Sequence, residues 1–225
     1  AREVAGLLGG QAVITTASDV LGHTALDLWA RDLGLTVADK HCLTAVMAKL
    51  VNTGSVSLGS AYPLPELPSD IILLQEFEAA DLLITCRTEQ KMGKALLYPK
   101  VLVAGIGCNR NTPAEEIGEA LEQVCREHHL AFQSIHSLAS IDLKRDELGL
   151  LVFAEQQGWS IDFYNRDQLN DVSGVSTSAA VLKATGAKGV AEPAAILSAG
   201  GGPLLVKKMK WPNVTVAIAE ISTPF

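Results

Sequence analysis

The stretch GIGCNRNTPAEEI (105–117) sets two glycines, a cysteine and the run Asn109-Arg110-Asn111 between an apolar strand and a helix start. Gly105 and Gly107 let the backbone approach a ligand, and free N–H groups at a helix N-terminus favour anions. Backbone donors around Gly107, Cys108 and Asn109, with the forked guanidinium of Arg110, form a candidate receiver for a carboxylate or phosphate. The spacing is not a dinucleotide fingerprint: Arg110 stands where the third glycine is needed, and no Gly-Lys-Ser/Thr follows. Thr112-Pro113-Ala114-Glu115 needs no ligand, since it reads as a capping box with proline at the first helical position.

Further segments carry related chemistry. In SIDLKRDE (140–147), Ser140 or Asp142 can cap a helix, but Lys144 in its first turn would oppose the helix dipole and calls for an anion nearby. In GVAEPAA (189–195), Glu192 stands just before a proline-started helix although glutamate is a poor N-cap. It is either a surface group favoured by the dipole or a general acid or base at a strand end. Lys207, Lys208 and Lys210 with Trp211 form a basic cluster, either a solvated hairpin loop or a face that receives a polyanion. Cys108 is a nucleophile or small packing, His128 and His129 suit a helix C-terminus, and His136 could line a strand end.

The elements that must position these residues fall into two regions. Up to about residue 100, QAVITT (11–16) reads as a strand, 21–33 and 43–51 as helices, and 55–58, 71–74, 82–85 and 95–98 as short strands around a proline-rich loop. From Val101 the pattern becomes regular strand–helix alternation. Strand 101–106 leads to helix 113–128, a short strand near 133–134 to helix 144–157 with Leu148, Leu151 and Val152 on one face, and strand 161–163 to helices 177–185 and 193–198. Strands 204–207 and 214–219 close the chain, joined by a Lys-Lys-Met-Lys-Trp-Pro-Asn loop. The expected fold class is α/β: a C-terminal three-layer α/β/α domain with a mixed sheet (101–225), preceded by a smaller α+β region (1–100). AREVAGLLGG (1–10) reads as a helix that starts without a cap, as if cut from something longer.

Composition narrows the partners. With 48% apolar residues and only 5% aromatic ones, the core must be built from Val, Leu, Ile and Ala. A net charge of −7 argues against a nucleic-acid binder, and no apolar run is long enough for a membrane span. Cys42, Cys86, Cys108 and Cys125 lack metal-ligand spacing and read as reduced thiols of a cytoplasmic protein.

Together, GIGCNRNTPAEEI, SLASIDLKRDELGLLVFA, GVAEPAAILSA and LLVKKMKWPNVTVAIAEI form an ordered set over about 101–222. It resembles the C-terminal domain of the CbiG family, the cobalt-precorrin-5A hydrolases of anaerobic cobalamin biosynthesis, a domain shared with the shorter CobE proteins. The first hundred residues resemble the family's junction and middle region. The resemblance implies opening of the δ-lactone on a contracted corrinoid macrocycle with release of acetaldehyde. It implies no protein cofactor or metal, because cobalt is carried by the substrate. The partner is then a small-molecule corrinoid, and contacts with other cobalamin-pathway enzymes or a homodimer are admitted. On this mapping Glu192 is the leading acid or base and Asp142 the second. Gly107, Cys108, Asn109 and Arg110 hold a carboxylate or the lactone oxygen, and Lys144, Lys207 and Lys208 neutralise substrate carboxylates. The turn containing Thr16 and Asp19 would close the cleft. The competing class is a non-catalytic corrinoid carrier.

Overall fold

A computed structural model describes residues 22–88 and 93–222. The strand expected at 11–16, and Thr16 and Asp19 after it, lie outside the described residues. The chain divides into two units, one comprising residues 1–85 and 91–97 and the other 86–90 and 98–225.

The described part of the first unit contains α1 (Leu26–Asp32), β1 (Thr36–Val37), α2 (Lys40–Thr53), β2 (Val56–Ser60), β3 (Ile71–Leu73), β4 (Leu82–Ile84) and β5 (Ala95–Tyr98). Asp39 caps α2 by accepting the N–H of His41, and Gly54, at φ 78°, ends it in the left-handed conformation that glycine adopts without a steric penalty. The sheet order is β1-β5-β4-β2-β3, and β2 pairs in parallel with both β3 and β4, as β4 does with β5. The first unit thus has its own five-stranded sheet with helices, within the expected α/β class. Residues 61–70, which join the parallel pair β2 and β3, contain no helix, so the sequence there lacks the signal that usually announces such a pair. Leu26, Ala30, Leu43, Leu50, Leu58, Leu82, Ile84 and Leu97 form its core.

The second unit carries β6 (Leu102–Cys108), α3 (Ala114–Glu127), β7 (Ile135–Ile141), a 3₁₀ turn (Asp142–Lys144), α4 (Leu148–Gln157) and β8 (Ser160–Tyr164). It continues through α5 (Arg166–Asp171), α6 (Ala179–Thr185), α7 (Ala191–Ser198), β9 (Leu204–Lys210) and β10 (Val214–Glu220). The sheet order is β8-β7-β6-β10-β9, with β6, β7 and β8 parallel and β10 antiparallel to both neighbours. Strand β6 is buried on both faces, as a central strand between helical layers must be: Leu102, Val103, Ala104 and Ile106 are fully inaccessible. One face packs Val103 with Ala139, Ala194 and Ala195 beneath α7. The β6-α3-β7-α4-β8 crossovers put α3 and α4 together on the other. This is the three-layer arrangement with a mixed sheet.

Several local expectations change. The segment expected as a strand near Gln133 is a 3₁₀ turn, and the strand follows it at Ile135–Ile141, with Ser140 inside it. The apolar face of α4 is rotated from that expected: Leu150, Phe153 and Ala154 are buried, whereas Leu148 is 75% exposed and Val152 also lies outward. The sequence reading missed α5, which Asn165 and Gln168 start with a capping box.

Candidate functional site

The parallel strands β6 and β7 end beside the start of the antiparallel β10, so their C-terminal ends open at a switch in strand order, where α/β sheets form crevices. A cavity of about 340 Å³ lies there. Its lining includes Gly107 and Cys108 from β6, Asn109 just after it, Lys144 after β7, Ser176 before α6, Glu192 in α7, and Lys208 and Lys210 from β9.

The first glycine of the opening motif serves helix packing. A Cβ at Gly105 would come 1.9 Å from the carbonyl oxygen of Ala191, so glycine lets the first turn of α7 lie directly on β6. At Gly107 a Cβ would meet only ordinary contacts of 3.7 Å or more. Two of the backbone donors after β6 are already engaged. The Asn109 N–H goes to the carbonyl of Asn213 at 2.9 Å, and the Asn111 N–H to Glu147 at 2.7 Å. Arg110 pairs with Asp146 and donates to the Leu143 carbonyl, and it does not line the cavity. The capping box does not form either. Pro113 is the N-cap of α3 with no side-chain cap bond, and the buried Thr112 hydroxyl donates back to the carbonyl of Asn109.

Glu147 is the residue that sequence reasoning missed. Its carboxylate, only 2% exposed, accepts from Asn111 N–H and from Lys144 Nζ at 3.0 Å, and lies 3.7 Å from Arg110. It holds Asn111 at φ 60° and so shapes the turn after β6. The Lys144 spacing (i, i+3) was a readable signal. Lys144 itself stands in the 3₁₀ turn ahead of α4, not in the helix's first turn, so no opposed dipole needs explaining.

Glu192 sits inside α7, one residue after its start, and is 2% exposed. It accepts from Ser176 N–H at 2.6 Å, Ser176 Oγ at 3.1 Å and Lys208 N–H at 2.9 Å. Burial by itself would raise its pKa. The donors Lys208 N–H and Ser176 N–H, the Ser176 hydroxyl and the Lys208 charge together outweigh that and hold the carboxyl below its usual range. Lys208 N–H is available for a local reason. Between the pairs Val206↔Ile218 and Met209↔Val216, β9 has two residues, Lys207 and Lys208, facing one residue of β10. This bulge takes an N–H out of the ladder and re-aims it. It also corrects the expected loop, because these lysines lie within the strand and the turn is only Trp211-Pro212-Asn213. Lys208 Nζ donates to the Ser176 carbonyl at 3.0 Å.

The structure thus brings Gly107, Cys108, Asn109, Lys144, Lys208 and Glu192 to one cavity. Asp142, in the 3₁₀ turn, and Lys207, exposed in the bulge, are outside its lining, as is Arg110. Of the two roles expected for Glu192, acid or base, the donors held on its carboxylate favour the base. Burial pushes the Cys108 thiol up, against the opposing charge of Lys144. Among the described residues no group of three or more His, Cys, Asp or Glu side chains is placed to hold a metal ion, and no helix is long and apolar enough to cross a membrane.

Residues 102–219 match the family model described as Cobalamin synthesis G C-terminus, and 24–98 match the Cobalamin biosynthesis central region. The chain is 36% identical to the cobalt-precorrin-5A hydrolase of Priestia megaterium, over 98% of this chain and 64% of that protein. It is 29% identical to the Salmonella typhimurium cobalt-precorrin-5A hydrolase, over 96% of this chain and 66% of that protein. It therefore spans just under two thirds of the length of these relatives. Protein CobE of Sinorhizobium is 33% identical over 54% of this chain and 81% of its own. A solved CobE structure superposes with a TM-score of 0.52 at 38% identity, covering 56% of this chain and 93% of that one.

Proposed function

We propose a function from one premise: this chain belongs to the CbiG family of cobalamin synthesis proteins. In this proposal it acts as a cobalt-precorrin-5A hydrolase, the activity named for the relatives from Priestia megaterium and Salmonella typhimurium. Water adds to the carbonyl of the substrate's δ-lactone, and the tetrahedral oxyanion collapses to a carboxylate and a free hydroxyethyl group. Loss of the hydroxyl proton then breaks the C–C bond to the macrocycle. Acetaldehyde leaves, the bonding electrons pass into the conjugated ring, and cobalt-precorrin-5B remains. The cobalt travels with the substrate, and the proposal requires no metal or cofactor held by the protein.

The observation that supports this reading most is the cavity at the switch in strand order, which gathers Lys144, Lys208 and Lys210 in a chain of net charge −7. Fixed ammonium groups stabilise an oxyanion and neutralise substrate carboxylates. Ser176 Oγ links the cavity to Glu192. It takes a proton from the attacking water as its own passes to the carboxylate, so Glu192 acts as a base through Ser176. The four free cysteines support a reducing compartment, the cytoplasm. Contacts with other enzymes of the pathway and a homodimer belong to the same proposal.

The test is acetaldehyde trapped from cobalt-precorrin-5A. Glu192→Gln, which keeps the volume but takes no proton, and Ser176→Ala should each lose about a hundredfold in rate or more. Unchanged release in both would sink the relay. A second reading, a corrinoid carrier without turnover, is favoured by CobE, a protein matched over 93% of its length by 56% of this chain. Corrinoid binding by the wild type with no acetaldehyde would establish that reading instead.

A further inference from the structure

The lysines of the cavity differ in what already holds them. Lys144 Nζ lies 3.0 Å from the buried Glu147 carboxylate, with its own side chain 13% exposed. Lys208 Nζ donates to the carbonyl of Ser176 at 3.0 Å while its backbone N–H is spent on Glu192. Turning Lys144 toward a ligand would take its charge from the buried Glu147 carboxylate, and turning Lys208 would free the half-buried Ser176 carbonyl, each at a cost. Lys210 is different. It lines the cavity, is exposed, and its ammonium has no hydrogen-bond or ion-pair partner among the described residues.

The base of Lys210 is nonetheless well fixed. It pairs with Thr215 at the end of the β9–β10 ladder. The turn beyond it is closed by Trp211 N–H on the Val214 carbonyl, and the Trp211 indole N–H is donated to Gln123 at 2.9 Å. A free cation on a rigid strand end at the mouth of a site is suited to selecting a ligand by charge. Space limits what that ligand can be. At about 340 Å³ the cavity is at the small end of sites that enclose a drug-sized molecule. It has room for one carboxylate-bearing side chain or a ring edge, and none for a four-ring macrocycle.

Resting on the corrinoid reading above, we infer that Lys210 is the substrate-recognising cation, pairing with a free peripheral carboxylate of the corrinoid edge that enters the cavity. Lys144 and Lys208 supply fixed charge behind it. Lys210 therefore sets the preference for the acid form of a corrinoid over an amidated one.

Absorbance titrations of the full chain with cobyrinic acid, whose peripheral carboxylates are free, and with the amidated cobinamide test this. Lys210→Met should weaken cobyrinic acid binding about fivefold or more and flatten its dependence on ionic strength, with cobinamide unchanged. Lys207→Met, at the exposed neighbour outside the cavity, should leave both titrations within about twofold. Undiminished binding of cobyrinic acid by Lys210→Met, or equal losses for the two corrinoids or the two variants, overturns the role of Lys210 alone. Failure of the wild type to bind either corrinoid overturns the corrinoid reading itself, and Lys210 with it.

Discussion

Glu192 shows how burial and bonding together decide what a carboxylate can do. Its pKa is held below the ordinary 4.5 because three donors and the Lys208 charge outweigh desolvation. The sign follows: with the folded value below the unfolded one, ionised Glu192 contributes stability above the unfolded pKa, and that contribution is lost as pH falls through the folded value. Acidification below 4.5 should therefore release Lys208 N–H, read as a falling exchange-protection factor at that amide. Glu192→Gln should show weaker protection at neutral pH and little change over the same acid range. An equal acid transition in the variant would assign it to another carboxylate. The poor N-cap chemistry of glutamate pointed to this position in the sequence. Its donors, Ser176 and Lys208, stand 16 residues away on either side and left no local trace.

At the scale of elements, the site depends on how closely α7 approaches β6. Gly105→Ala would drive a methyl into the Ala191 carbonyl at 1.9 Å, and backbone on both sides cannot yield cheaply. We expect a loss of about 3 kcal/mol in urea unfolding at unchanged m. Gly107→Ala, facing contacts of 3.7 Å and beyond, should cost about 1 kcal/mol or less. Equal costs would show that the two glycines are alike after all. Both were legible in sequence as close-approach positions, but whether a helix or a ligand makes the approach was not. The β9 bulge is the other element-scale device. Its one extra residue takes Lys208 N–H to Glu192, and a lysine-rich run next to Trp-Pro-Asn reads as a loop when only local signals are used.

At the scale of the whole molecule, residues 86–88 belong with the second unit although strand β5 of the first follows them in sequence. Ala131 N–H donates to the Cys86 carbonyl at 2.7 Å, Thr88 N–H to His129 at 2.9 Å, and Arg87 bridges Leu130. A fragment of residues 86–225 should therefore melt above one of 99–225, by about 5 °C for roughly 1 kcal/mol of net hydrogen bonding. Identical melting would show that the segment adds nothing. What the sequence by itself determined is the set of elements and the segments that carry charge. The strand–helix alternation from Val101 onward, glycine at Gly54, and the ordered motifs between 101 and 222 are local signals, each set within a few residues by backbone sterics and side-chain burial. Only the tertiary structure decided which donors remain available. Asp146 takes Arg110 across 36 residues, Glu147 takes Asn111 across 36, and the Asn109 amide side chain reaches Asn213 across 104, whereas Lys210 is left unpaired among the described residues. A hydrogen bond between distant segments depends on where the fold sets its two ends, and no spacing within either segment encodes that.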